Sequence, residues 1–299
     1  MDKIAPLNFT LNNLTLAALA CGDENLPPVL CLHGYLDNAA SFLPLMQQSK
    51  LCENQRIIAL DWPGHGHSDH RSADAHYHFL DYASDLVSLF ALNDWPAINI
   101  VAHSMGAMVA SAFAAAFPEK VKSLTLIDAL GFITAPAEQA TKQLRDGLLS
   151  RQKGANNQRS FTEATAVKAR LQVCDLQESH AKLIINRSII NQASNKQGLD
   201  NKLQYCWRSD PRLRTISPYR LTMAQGQQLL SDIKCPLQLF YGDKGMSLVT
   251  KALATLSASL PQLKVIKVSG GHHVHMEQPE KLSLSLESFY RDNKIKTSV

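Results

Sequence analysis

"VAHSMGAM", residues 101–108, joins an apolar run, "AINIVA" (97–102), to an alanine-rich run, "MGAMVASAFAAAF" (105–117). The first reads as a buried strand and the second as a helix, so Ser104 stands at the corner between them. A strand that turns sharply into a helix forces its corner residue into a strained backbone conformation, and only small neighbours leave room for that corner. Ala102 and Gly106 supply the small neighbours, two residues to either side. The usual pattern is Gly-x-Ser-x-Gly; here Ala102 replaces the first glycine, which weakens the motif without abolishing it. The corner lifts the hydroxyl into the open, and the helix N-terminus behind it favours developing negative charge. A serine that only caps the helix would occupy the same place, so the neighbouring segments have to decide.

Working outward, strand-like and helix-like runs alternate. "PPVLCL" (27–32), "QRIIAL" (55–60), "SLTLI" (123–127), "PLQLFY" (236–241) and "LKVIKV" (263–268) read as strands. "HFLDYASDLVSLFAL" (78–92) carries Leu80, Ala83, Leu86, Val87 and Phe90 at helical spacing, and further helices are expected over about 248–259 and from about 280. Strands that are apolar throughout, rather than alternating, suit a parallel sheet covered on both faces. The expected fold is therefore α/β, a doubly wound and mostly parallel sheet. Between 134 and 231 no strand pattern appears, and "TMAQ" (222–225) fits a capping box opening the last helix of that stretch. The expected organisation is a core of 1–133 and 232–299, with 134–231 inserted as a helical lid over the C-terminal edge of the sheet.

Composition is that of a globular domain, and 299 residues suffice for one large core with an insertion. The net charge of +4 is uneven: 134–231 holds 15 Lys and Arg against 7 Asp and Glu, a net of +8, and the remainder 15 against 19, a net of −4. The basic residues are dispersed and have no aromatic interleaving, so no nucleic-acid partner is expected. Six cysteines, at 21, 31, 52, 174, 206 and 235, form no Cys-x-x-Cys pair and no zinc-spaced cluster. They read as reduced thiols in a cytoplasmic protein, with no metal and no cofactor expected. "LTLAALACG" (14–22) faintly resembles a secretory leader, but the polar "NFTLNN" (8–13) interrupts it, and two short strands are the better reading. No run of about 20 apolar residues would insert into a membrane.

Two loops add chemistry to Ser104. "HGYLDN" (33–38) follows a strand and offers backbone N–H groups at the same sheet edge. Tyr35 and Met105 N–H are the candidate oxyanion donors, one from another loop and one beside the nucleophile. "VSGGHHVHMEQPE" (268–280) follows the last strand with three histidines, His272, His273 and His275, any of which could serve as a general base from that loop.

Taken in order, "HGYLDN", "DWPGHGHSD" (61–69), "AHSMGAM" (102–108) and "GGHHVHMEQPE" (270–280) resemble the α/β-hydrolase fold superfamily. "VLCLHGYLDNAASF" (29–42) and "HHVHMEQPE" (272–280) are most similar to its serine hydrolase-like branch. The resemblance covers the whole core. It implies that the base is the histidine after a glycine and five residues before the Glu of Glu-x-Pro; Gly271, His272, Glu277 and Pro279 fit that register. It makes His273 and His275 loop or packing residues, and His65 and His67 parts of a structural turn.

The triad acid departs from the family pattern. In "LQLFYGDKGMS" (237–247) the Gly-x-x-Asp register counted from Gly242 lands on Gly245, which has no side chain. Asp243 lies two residues early, and Asp is also a common turn residue. The fold accepts an acid after the strand before the insertion, and there the residue is Asp128. Asp128 is the leading candidate and Asp243 the alternative; a site without a working acid is the third reading. The resemblance implies a serine hydrolase cleaving a small carboxylic ester through an acyl-enzyme, with thioesterase and carbon–carbon bond hydrolase as variants. A small-ligand binder without turnover is the alternative from another class. The basic insertion points to an anionic ester or thioester as the partner, set against the plainer reading of solvated helix faces.

Overall fold

The computed structural model describes residues 4–48, 50–152, 160–192 and 204–294. Its strands are β1 (Ala5–Thr10), β2 (Thr15–Cys21), β3 (Pro28–Leu32), β4 (Arg56–Leu60), β5 (Ile98–His103), β6 (Val121–Ile127), β7 (Ile189–Asn191), β8 (Tyr205–Trp207), β9 (Leu237–Gly242) and β10 (Leu263–Val268). Eight of them form one sheet in the order β1-β2-β4-β3-β5-β6-β9-β10. From β4 to β10 all neighbours run parallel; β1 and β2 form an antiparallel ribbon on the β4 side. The stretch that faintly resembles a leader is thus an ordinary edge hairpin. Among the described residues no helix is long and apolar enough to cross a membrane.

The all-apolar runs have their expected cause. Every residue of β5 and of β9 is buried. Side-chain alternation sends Leu30, Ile58, Leu124 and Leu237 into one cluster with helices Phe79–Leu92 and Met105–Ala116. Val29, Cys31, Ile57, Val101 and Phe240 go to the other face, against Leu282, Leu286 and Phe289 of helix Pro279–Asp292. The edge strand β10 instead alternates, with Val265 and Lys267 exposed; a lysine on an edge strand is a common guard against edge-to-edge pairing.

Chain order reverses beside β3: β4 lies on one side of it and β5 on the other. At such a switch point the loops leave the strand ends in opposite directions and open a crevice at the C-terminal edge. The loops after β3 and β5 carry Gly34–Asn38 and Ser104.

Two findings differ from the sequence reading. Residues 134–231 leave β6 and return to β9 with helices Ala140–Gln152, Glu163–Leu171, Glu178–Ser188 and Met223–Ser231, the last opened by the expected Thr222/Gln225 capping box. They also contain the ribbon β7–β8; strands of three residues are too short to show a period of two. The second correction concerns the thiols. Cys21 and Cys52 form a disulfide across 31 residues, Cα to Cα 5.8 Å. β2 pairs with β4, and helix Leu51–Asn54 leads directly into β4, so the sheet brings the two cysteines together. Gly22 turns there at φ +89°, where an added Cβ would meet Cys52 O at 2.9 Å. Spacing along the chain carried no sign of this pairing, and the compartment argued from reduced cysteines loses its basis.

Candidate active site

Ser104 has φ 52° and ψ −116°, a region costing a non-glycine residue about 1–3 kcal/mol unless its surroundings impose it. Its N–H donates to Ile127 O at 3.1 Å. The helix starting at Met105 then passes so close to β3 that a Cβ at position 106 would lie 2.4 Å from Leu32 O. Gly106 is therefore required by contact, as the motif implies. Ser104 makes no side-chain cap bond to its helix, so the capping reading is not what the structure displays.

His272 stands in the loop after β10. Its Nε2 is 3.0 Å from Ser104 Oγ, and its Nδ1 is 2.7 Å from Asp128 Oδ2. Asp128 follows β6 directly, fully buried, at φ 44°, a left-handed conformation that Asp tolerates better than most residues. Its N–H donates to Phe240 O at 3.0 Å, and its Oδ2 also accepts from Met246 N at 3.0 Å. The structure thus brings Ser104, His272 and Asp128 into one hydrogen-bonded line.

Asp243 lies outside that line. It is exposed; its N–H donates to Val268 O at 2.8 Å and its Oδ1 accepts from Gly270 N at 3.0 Å. These are the bonds of a turn residue tying β9 to the loop after β10. Gly245 has its own reason: a Cβ there would lie 2.1 Å from Asp128 Oδ1. The space that a side chain at 245 would enter is filled by the Asp128 carboxylate.

Tyr35 and Met105 N–H groups have no acceptor among the described residues. The loop carrying Tyr35 is held by two neutral histidines. His33 accepts from Trp62 N at 3.0 Å through Nε2, leaving Nδ1 to donate to Gly34 O at 2.7 Å. His65 donates from Nδ1 to Pro63 O and accepts from Leu36 N at 3.3 Å. Burial lowers the pKa of both, that of His65 to about 3, so each keeps the one acceptor nitrogen its partner needs. His67 contributes only its backbone, donating to Asp61 Oδ2. Both histidines of "DWPGHGHSD" are therefore structural in geometry.

The segment 134–231 reaches each of these loops. Tyr35 donates its phenol proton to Leu213 O at 3.0 Å, and Asn38 donates to Ile184 O at 2.8 Å. Arg187 binds the wholly buried Asp61 carboxylate, Nη2 to Oδ2 2.8 Å; removing either partner of such a pair costs on the order of 3–5 kcal/mol. Deeper in the site, Asp37 meets Arg170 and His273, and Asp175 faces His273 and the His272 backbone. Sequence reasoning passed over Asp37, Arg170, Asp175 and Arg187. Asp37 lies inside a quoted motif, as does its partner His273, but Arg170, Asp175 and Arg187 come from a stretch with no motif at all.

Asp37, His103 and His273 offer three ligand-type atoms close together, 3.3–3.5 Å from carboxylate to ring nitrogens. That spacing would suit a metal ion, but the Arg170 guanidinium already lies against both Asp37 and His273 and supplies the positive charge. His103 donates through Nε2 to His272 O at 3.0 Å, and burial lowers its pKa to about 4. His275 is wholly buried beside His103 and Phe42, with neither ring nitrogen partnered among the described residues. It packs, as expected. His273 does not merely pack, because it is part of the ion-paired group.

Several known proteins resemble this chain over most of its length. A serine hydrolase-like protein of Danio rerio is 29% identical over 274 residues, covering 88% of this chain and 81% of its own length. The crystal structure of a hypothetical protein from Pseudomonas aeruginosa PAO1 superposes with a TM-score of 0.87 at 31% identity, over 97% of this chain and 99% of that one. The thioesterase domain from the curacin biosynthetic pathway superposes at 0.81 with 25% identity, over 96% and 100%. The family described by the alpha/beta hydrolase fold matches residues 27–279, and with that match the chain belongs to the α/β hydrolase fold family.

Proposed function

We propose that the protein is a serine hydrolase that cleaves a carboxylic ester or thioester through an acyl-enzyme on Ser104. The observation that carries this reading is the line Ser104 Oγ, His272 Nε2, His272 Nδ1, Asp128 Oδ2, at 3.0 and 2.7 Å. Asp128 Oδ2 accepts a hydrogen bond from Nδ1–H and so leaves Nε2 free to take the Ser104 proton as Oγ attacks the substrate carbonyl. The carbonyl oxygen becomes an oxyanion and meets Tyr35 and Met105 N–H, two donors with no other acceptor among the described residues. His272 returns the proton to the leaving alkoxide or thiolate. Water then attacks the acyl group by the same proton route and frees Ser104. Residues 134–231 act as the lid, between core parts 1–133 and 232–299.

A fluorophosphonate probe tests the reading directly. It is expected to label wild-type protein stoichiometrically and to leave Ser104→Ala unlabelled. Failure to label folded wild-type protein would sink the hydrolase and favour a ligand-binding role. The likeness to a thioesterase domain supports including acyl thioesters beside esters in the first substrate panel.

The charge of the insert refines the substrate. Arg170 and Arg187 are paired with buried core carboxylates, and Arg212 with Asp210 of the insert itself, so these three are not aimed at a ligand. Arg214 differs: it is exposed, has no carboxylate partner among the described residues, and follows Leu213, which receives the Tyr35 hydroxyl. A cation beside the oxyanion loop favours an acyl or leaving group with a negative charge away from the scissile bond. For such an ester, kcat/KM is expected to fall as salt rises toward 0.5 M, where the Debye length is about 4 Å. The slope should flatten in Arg214→Gln. A neutral ester of equal size should be insensitive to both; equal salt profiles for the two esters would refute the charge preference.

A further inference from the structure

Arg170 ends a helix of the insert, and Asp175 follows in the turn after it. Between them lie two core groups. Asp37 belongs to the loop that carries the Tyr35 N–H, and His273 stands next to His272. Arg170 Nη2 binds Asp37 Oδ1, and His273 Nε2 is 3.3 Å from Asp37 Oδ2. Asp175 places Oδ1 3.6 Å from His273 Nδ1 and accepts the backbone N–H of His272 on Oδ2 at 2.7 Å. The approach is so close that a Cβ on Gly271 would lie 1.7 Å from Asp175 Oδ2. The glycine before His272 therefore makes room for a carboxylate brought in by the insert. Asp37 and His273 are almost wholly buried, and Arg170 mostly so.

We propose that Arg170 and Asp175 are positioning residues, clasping Asp37 and the His272–His273 backbone so that the oxyanion loop and the base loop reach working geometry only when the insert is seated. This rests on the assignment of Ser104, His272 and the Tyr35 N–H to the reaction. Neither residue touches the reacting atoms; each acts through a loop that does. Two carboxylates and two cations face one another, so the group is neutral only when all four are present and His273 carries its proton. Nε2 cannot both donate to Asp37 and accept from Arg170, and the two carboxylates decide for donation.

The clasp is expected to be pH-sensitive. Burial opposes the His273 charge, but Asp37 and Asp175 outweigh it and raise its pKa to about 9. The other groups around it are Arg170, which opposes the charge, and His103, His180, His272 and His275. A raised histidine contributes fully below its unfolded value near 6.5, and the contribution is lost as pH rises through about 9. The alkaline limb of kcat should follow that loss.

The test compares Arg170→Ala, Arg170→Lys and Asp175→Asn with wild type by steady-state kinetics and by backbone hydrogen exchange. Displacing a reacting group by about 1 Å can cost on the order of 10²-fold in rate. A kcat loss of roughly 10–100-fold is therefore expected in Arg170→Ala and Asp175→Asn, with partial recovery in Arg170→Lys. Exchange should quicken at 34–38 and 271–275 while β5 and β6 stay protected. The alkaline limb should move to lower pH in Asp175→Asn, which has lost one of the two carboxylates that hold the His273 proton. Wild-type kcat and an unmoved limb in Asp175→Asn would overturn the proposal. So would a kcat loss with exchange raised throughout β5 and β6, which would make the pair a general support of the fold. If wild-type Ser104 does not react with the fluorophosphonate, the hydrolase reading fails by itself. The exchange comparison still decides whether the clasp orders the two loops.

Discussion

Ser104→Ala is expected to abolish ester hydrolysis, with kcat down on the order of 10³-fold or more. His272→Ala should do the same, and the double variant should be little worse than either, because nucleophile and base act as one unit. Neither change should unfold the protein: Ser104 makes no cap bond, and His272 is partly exposed at a loop. Ser104 also offers a check on strain. Its positive φ costs about 1–3 kcal/mol, and glycine adopts that conformation freely at an entropic cost of about 0.5–1 kcal/mol. Ser104→Gly should therefore be as inactive as Ser104→Ala and at least as stable as wild type, measured as Tm. Activity within tenfold of wild type in Ser104→Ala, or a Ser104→Gly protein clearly less stable than wild type, would contradict this account of the corner.

The core was legible because each of its features is local. The buried parallel strands show as continuous apolar runs, the Ser104 corner as small residues at fixed offsets, and His272 as a register between Gly271 and Glu277. The features that escaped are contacts between distant segments. Cys21 and Cys52 meet only because β2 pairs with β4. Arg170 and Asp175 reach the site from a helix with little amphipathic patterning and the turn after it, in a stretch whose strands are three residues long. A surplus of positive charge was visible in that stretch, but not that Arg170 and Arg187 are spent on the buried Asp37 and Asp61 of the core. Composition reports charge and is silent on pairing.

Asp128→Asn is expected to lower kcat by roughly 10³–10⁴-fold, the loss typical when a triad carboxylate becomes an amide. Here one oxygen, Oδ2, accepts from both His272 Nδ1 and Met246 N. An amide oxygen in that place could keep both bonds but would bring no charge to balance the imidazolium; an amide turned the other way would present N–H to both donors. Asp243→Asn should cost less than about threefold, since among the described residues the Asp243 carboxylate bonds only the Gly270 N–H and a neutral oxygen accepts that bond nearly as well. The reverse ranking, on one substrate with both variants folded, would remove Asp128 from the triad. Gly245 supplies a sharper experiment. Because a Cβ at 245 would lie 2.1 Å from Asp128 Oδ1, Gly245→Asp alone should be crippled, with two carboxylates competing for one space. Exchanging the pair, as Asp128→Gly with Gly245→Asp, removes the conflict. Glycine suits the backbone at 128, where φ is 44°, and the new carboxylate enters the volume the old one leaves. The exchange should recover at least tenfold of the activity lost in Asp128→Gly, although the Gly245→Asp change alone is harmful. Recovery of that sign comes from two positions sharing one acid site, and an exchange variant no better than Asp128→Gly would show that they do not.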